Sequence, residues 1–266
     1  MLGSAILAGV VLVVRHFADE RAFVRLLREV QPDWLASAIL LQVATYFVQG
    51  EIWQTVLRPA KTQVQVSATC KLSVARLFVD QALPSAGLSG TVLAVQALRQ
   101  YGVPLPVVMA GVVIDTASCY VTYAIGLVVA LIIAVCAHHA TSLLVFAAFL
   151  FLAFALAVAI GFLELSGHPT GPFAHRLARF KPLGAGLHLL EQADPRLSHS
   201  LRLLAGACAC QAAIVLLDVA TMWALIAALG AVASPAGVFA SFMMSTLCAS
   251  WASCPAAWGS SRRPRC

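Results

Sequence analysis

Apolar runs of membrane-spanning length alternate with short polar breaks along this chain, and one break differs from the rest. The runs cover residues 34–57, 104–136, 143–163, 202–229 and 236–250, separated by polar, Pro- or Gly-containing breaks. A helix needs about 20 residues to cross the hydrocarbon layer, so each run predicts a transmembrane helix. Residues 1–17 are apolar but short. No Lys or Arg precedes the run, unlike a signal peptide, so a span eked out by His16 and Phe17, or one begun at an upstream start, is expected. That gives about six spans. Residues 64–100 differ: they are moderately apolar, carry Lys71 and Arg76, and are interrupted by LPSAGLSG at Leu83 to Gly90.

Composition settles what solvent these helices face. The 266 residues are 61% hydrophobic and 11% charged, less than half the roughly 25% charge of soluble domains. Mean hydropathy is +0.90. Such a chain cannot cover a globule with polar surface. The expected fold is all-α, a polytopic transmembrane helix bundle, forming one domain over residues 1–250. The net charge of +6 would suggest nucleic acid in a soluble protein. Here the basic residues are scattered between apolar runs, without a dense stripe or interleaved aromatics. They read as cytoplasmic loops beside anionic lipid, not as a nucleic-acid site.

Charge placement also orients the chain. Arg176, Arg179, Lys181 and Arg196 put residues 166–200 in the cytoplasm, and the unbasic His138-His139 turn outside. Counting back through a re-entrant 64–100 segment leaves Arg58 and Lys61 inside, as the rule requires. Residues 19–30, DERAFVRLLREV, read as an amphipathic interfacial helix. Phe23, Leu26, Leu27 and Val30 oppose Arg21, Arg25, Arg28 and Glu29. This helix falls outside, against the rule. Trp34 and Trp53 are expected as interfacial anchors of the 34–57 span, and Glu51 as an acid reaching the interface.

LPSAGLSG is not a soluble phosphate loop. It lacks the Gly-Lys-Ser/Thr of a Walker loop, and Gly87 and Gly90 alone do not make a dinucleotide fingerprint. Two readings stand. Pro84, Gly87 and Gly90 form either a tight turn between helices or a re-entrant break lining a cavity, since irregular backbone inside a membrane must be satisfied there. In the second reading, free amides at Ser89 to Thr91 and the cations Lys71 and Arg76 suit an anionic headgroup. Asp115 and Asp218 sit mid-span, where an acid costs about 2.5–3.5 kcal/mol or more. They are expected to face the bundle interior, lining a path or paired structurally, with Arg76 or Arg99 as partners.

No catalytic or metal chemistry is indicated. Ser85 and Ser89 have no neighbouring His-Asp set, and His168, His175, His188 and His199 follow no ligand spacing. Cys208-Ala-Cys210 lacks a second pair. Neither a cofactor nor a metal is expected.

The stretch LPSAGLSGTVLAVQALRQYGVP, Leu83 to Pro104, resembles the lysylphosphatidylglycerol synthase transmembrane-region family of flippase-like membrane proteins. GVVIDTASCYVTYAIGLVVAL resembles the span that follows, with Asp115 at an acid common there. Many members place Arg after that acid where this chain has Thr116, so an ion pair at that point is not carried over. The resemblance runs from about Trp34 to Ser250. It implies a multispan bundle with broken segments in a bacterial inner membrane, translocating or handling a lipid or lipid-linked headgroup. Lys71, Arg76, Pro84, Gly87, Gly90, Asp115 and Asp218 would form its headgroup path. Membrane lipids are the implied partners, with lipid-biosynthesis enzymes as further ones. No aminoacyl-transferase domain accompanies the spans, so a transporter rather than an enzyme is expected. The alternatives are an accessory subunit or enzyme of membrane lipid or glycan biosynthesis, or a truncated product.

The tail WASCPAAWGSSRRPRC, residues 251–266, has no apolar period and is expected to be out of frame. One GC-rich back-translation, read one base earlier, encodes LGVLPGGLGFFEAASV. That sequence would continue the span and supply the second Pro-Gly-Gly-x-Gly and acid common in the family. Paired broken segments are frequent in transporters. A native short polar tail is the alternative.

Overall fold

The computed structural model describes residues 31–62, 64–82, 88–137, 142–165 and 192–252. Eight helices are described: α1 (Pro32–Leu57), α2 (Val66–Ala82), α3 (Leu88–Gln100), α4 (Leu105–Cys136), α5 (Ser142–Leu165), α6 (Pro195–Ser198), α7 (Leu201–Ala228) and α8 (Pro235–Ala252). No strand occurs among the described residues. Four of these helices are long and apolar enough to cross a membrane: α1, α4, α5 over Val145–Leu163, and α7. The chain is therefore an all-α, multi-pass transmembrane bundle. α8 coincides with the run expected at 236–250. The segments 1–17 and 19–30, the His138-His139 turn, most of the 166–200 loop and residues 253–266 of the tail lie outside the described residues.

Local sequence sets the helix ends. Pro32 opens α1 and Pro106 lies in the first turn of α4, where a missing N–H costs no helical bond. α3 ends at Gly102, whose φ of 79° is the left-handed conformation glycine adopts without strain. The Val103 amide bonds Leu98 O at 3.1 Å and the Gly102 amide bonds Arg99 O at 3.0 Å. Together they satisfy the last carbonyls in a Schellman motif. Gly230 closes α7 in the same way, with φ 74°.

The longest seam is antiparallel, between α1 and α7. At one end Trp34 meets Trp223 edge-to-face at 5.4 Å, and the Gln31 amide bonds Ala228 O at 3.1 Å. At the other, Thr55 lies against Gly206. That second end is filled by Ile52, Val56, Ile114, Ala207 and Ile214. Burying such side chains stabilises by about 1.5–3 kcal/mol each in water. In lipid the gain comes from close packing, for which Gly206 and Ala207 leave room.

This seam fixes the course of α2 and α3. The C-terminal end of α1 and the N-terminal end of α7 share one end of the bundle. The start of α4 is there too, because the Asp194 amide bonds Pro106 O at 3.1 Å. The chain thus leaves α1 and enters α4 at the same end. α2 and α3, which pack against each other between them, form a hairpin with both ends at that end of the bundle, and neither is among the four helices long and apolar enough to cross. The expected re-entrant segment is this pair. Its break, residues 83–87 with Pro84 and Gly87, lies outside the described residues.

Trp53 corrects one expectation. It is 2% exposed rather than interfacial, and packs with Leu57, Leu72, Leu98 and Val108 in the core at the hairpin end. Its ring lies so close to Gly111 that a Cβ there would come within 2.8 Å. The outer faces of α4 and α5, by contrast, expose Ile125, Ile132, Phe146, Phe149 and Phe154, as helices bathed in acyl chains do.

Candidate functional site

Asp115 lies ten residues into α4, about 15 Å along the helix axis, near the middle of a bilayer core about 30 Å thick. It is 4% exposed. An acid there is costly unless it is paired, and the bundle pairs it from three sides. Arg76 of α2 donates Nη1 to Asp115 Oδ2. Gln49 of α1 and Gln211 of α7 each donate Nε2 to Oδ1, at 3.2 and 3.3 Å. The hairpin supplies the cation, and the two seam helices supply neutral amides.

Arg76 has a second acid. Its Nε lies 3.8 Å from Asp80 Oδ2, one turn along α2. Asp80 also accepts from the Gly90 amide at 2.9 Å and from the Ser89 hydroxyl at 3.5 Å. The chain's own carboxylate therefore sits at the start of α3. This corrects the expectation that the amides around Gly90 are free for a headgroup: Gly90 N–H is taken. Gly90 is buried, and a Cβ would come within 2.6 Å of Asp80 Cγ. Glycine is needed there for space.

The other expected residues separate. Lys71 is exposed on α2. Five residues from Arg76, it points about 140° away around the helix, so the two cations do not converge. Arg99 is exposed near the end of α3, and Asp115 takes Arg76 rather than Arg99. Asp218 is half-buried on α7, with Thr45 Oγ1 donating to its Oδ1 at 3.5 Å. It lies seven residues from Gln211, about 10 Å further along the seam, against α1 rather than the hairpin. Glu51 reaches the bundle end and pairs with Arg58 at 2.7 Å.

Gln49, Asp80 and Gln211 belong to the site and were not anticipated. The signal for Asp80 was its i,i+4 spacing from Arg76. For the glutamines it was an amide in the middle of an apolar span. Among the described residues no cluster of His, Cys, Asp and Glu could hold a metal ion.

A bundle of apolar spans with a re-entrant hairpin and a buried ion pair at mid-depth is the architecture of a polytopic membrane protein. The chain belongs to the family described as the lysylphosphatidylglycerol synthase TM region, whose model matches residues 1–261. No curated protein and no solved structure matches it.

Proposed function

We propose that this protein binds an anionic lipid or lipid-linked headgroup in a bacterial inner membrane and moves it between leaflets, with no covalent chemistry of its own. The observation that carries the reading is Arg76, a cation held at mid-depth between two acids on a hairpin that does not span. Asp115 is fixed by three donors from three helices. Asp80 is the looser partner at 3.8 Å. A headgroup phosphate arriving beside the hairpin competes with Asp80 for Arg76, while Asp115 keeps the guanidinium from leaving with it. Charge-assisted bonds of this kind are roughly twice as strong as neutral ones. Basic residues at 176, 179 and 181 support a cytoplasmic position for the bundle end where the hairpin enters. Partners in lipid biosynthesis would meet the protein at that end.

The test is lipid movement in proteoliposomes carrying a radiolabelled anionic phospholipid, with a product-forming assay run in parallel. Leaflet exchange above protein-free vesicles, reduced in Arg76→Lys and unaccompanied by a new lipid product, supports the reading. A new lipid product, or exchange no faster than in empty vesicles, overturns it.

A further inference from the structure

The end of the α1–α7 seam holds a second cationic feature, separate from Arg76. A cavity of about 520 Å3 opens there between Thr55, Arg58, Arg196, Ser200, Arg202 and Leu203. Arg58 lies nine residues beyond Gln49 on α1, about 13 Å along the axis, so this cavity stands apart from the Asp115 network. Its three guanidiniums come from three elements: the end of α1, the short α6, and the first turn of α7. Arg58 is paired with Glu51 at 2.7 Å. Arg196 and Arg202 have no ion pair among the described residues, and both are exposed.

The local folding that brings them together is specific. Asp194 caps α6 by accepting from the Arg196 amide at 2.9 Å, and its own amide ties the loop to Pro106 of α4. That tether holds Arg196 over the seam. Ser200, the N-cap of α7, makes no side-chain capping bond. The 28-residue α7 therefore begins at the cavity with its first-turn amides uncapped by a side chain, and its dipole adds to the guanidinium charge there. Leu197 and Leu203 give the same cavity an apolar wall.

We infer that this cavity is a binding site for a phosphate group, held by Arg196 and Arg202 with Arg58 as the third, Glu51-paired cation. Guanidinium forks match phosphate oxygens in geometry as well as charge. The apolar wall and the location at the end of a spanning seam suit a phosphodiester whose acyl chains lie along the helices. A soluble phosphate ester offers the same group without the chains. The inference rests on the lipid-handling reading only for the choice between these sources.

The experiment measures binding without transport. The full chain in detergent is titrated with phosphatidylglycerol, with phosphatidylcholine, and with glycerol 3-phosphate, the bound species being read by native mass spectrometry. Phosphatidylglycerol is expected to bind and to lose at least about tenfold in affinity in R196A/R202A. R196K/R202K, which keeps the charge but loses the fork, is expected to fall between parent and double alanine. Matching thermal melts establish that all three are folded. Glycerol 3-phosphate binding as tightly as the lipid assigns the site to a soluble ester; weaker binding assigns it to the lipid. Unchanged phosphatidylglycerol affinity in R196A/R202A overturns the site. So does phosphatidylcholine binding as tightly as phosphatidylglycerol and equally insensitive to the substitutions. A parent chain that binds phosphatidylglycerol here yet exchanges no lipid leaves this site standing and overturns the transport reading alone.

Discussion

Asp115 and Asp218 look alike in the sequence, each an acid in the middle of a long apolar helix, but the bundle treats them differently. Asp115 is 4% exposed and takes a guanidinium and two amides. Asp218 is half-buried and takes one long bond from a hydroxyl. The difference comes from the re-entrant hairpin. α2 ends beside α4 and delivers Arg76 to the level of Asp115, whereas no cation from the described helices reaches the level of Asp218. A buried acid here is structural where a neighbouring helix stops short enough to bring a cation to it. Otherwise it stays half-buried, with a single long bond from a hydroxyl.

That contrast can be broken from its stronger side first. Arg76→Ala strands a buried carboxylate, and breaking such a pair costs about 3–5 kcal/mol. The variant is expected to give little folded material by size exclusion and a sharply lowered melt in detergent. Adding Asp115→Asn should recover part of the loss, since the unpaired charge is then removed. A double variant no better than Arg76→Ala alone would contradict the pairing.

Next comes the hairpin itself. Gly90→Ala pushes a methyl into the Asp80 carboxylate, and overpacking of this kind costs about 1–3 kcal/mol. Asp80→Ala in the same chain removes the obstacle, so the double variant should melt above Gly90→Ala. If instead the two losses simply add, Asp80 does not abut Gly90.

The smallest stability effect is expected at Asp218. Asp218→Asn should shift the melt by no more than about 0.5 kcal/mol, as substitutions away from a strong contact do, while slowing lipid exchange in proteoliposomes. Exchange equal to the parent's would remove Asp218 from the path and leave it a tolerated polar residue of the seam.

Hydropathy alone made the spans legible, because runs of that length have no other stable setting, and the helix bounds follow them closely. The re-entrant pair was legible for a different reason: its polarity and its Pro/Gly break argue against a simple span. The site was half legible. Asp115 announces itself by its cost, and Arg76 by its place before the break. Lys71 carries the same charge as Arg76 but not its helical phase, and Trp53 stands near a span end, where indoles are usually anchors, yet is buried. Asp80 shows in the sequence only through its i,i+4 spacing from Arg76; its bonds to Ser89 and Gly90 depend on how α3 packs against α2, which spacing does not specify. Gln49 and Gln211 converge only once α1 and α7 are antiparallel, and their 162-residue separation carries no local signal.

The hairpin that returns to the end it entered has a consequence for how the chain is assembled during synthesis. A translocating pore releases apolar helices sideways into lipid one after another. The α2–α3 stretch, which carries Lys71, Arg76, Asp80 and Arg99, has no reason to follow until a protein surface exists for it. Arg76 and Asp115 are 39 residues apart, so their contact is available once α4 has been made. Gln211 and Asp218 of α7 reach Asp115 and Thr45 later, but they join α7 to α4 and α1, whereas the hairpin packs on α1, which is already made, and on α4. Contacts distant in sequence form late. A nascent chain halted before Leu105 should therefore leave its hairpin open to protease from the ribosome side, and one extended past Cys136 should protect it. Equal protection at both lengths would mean that α1 alone is enough to receive the hairpin.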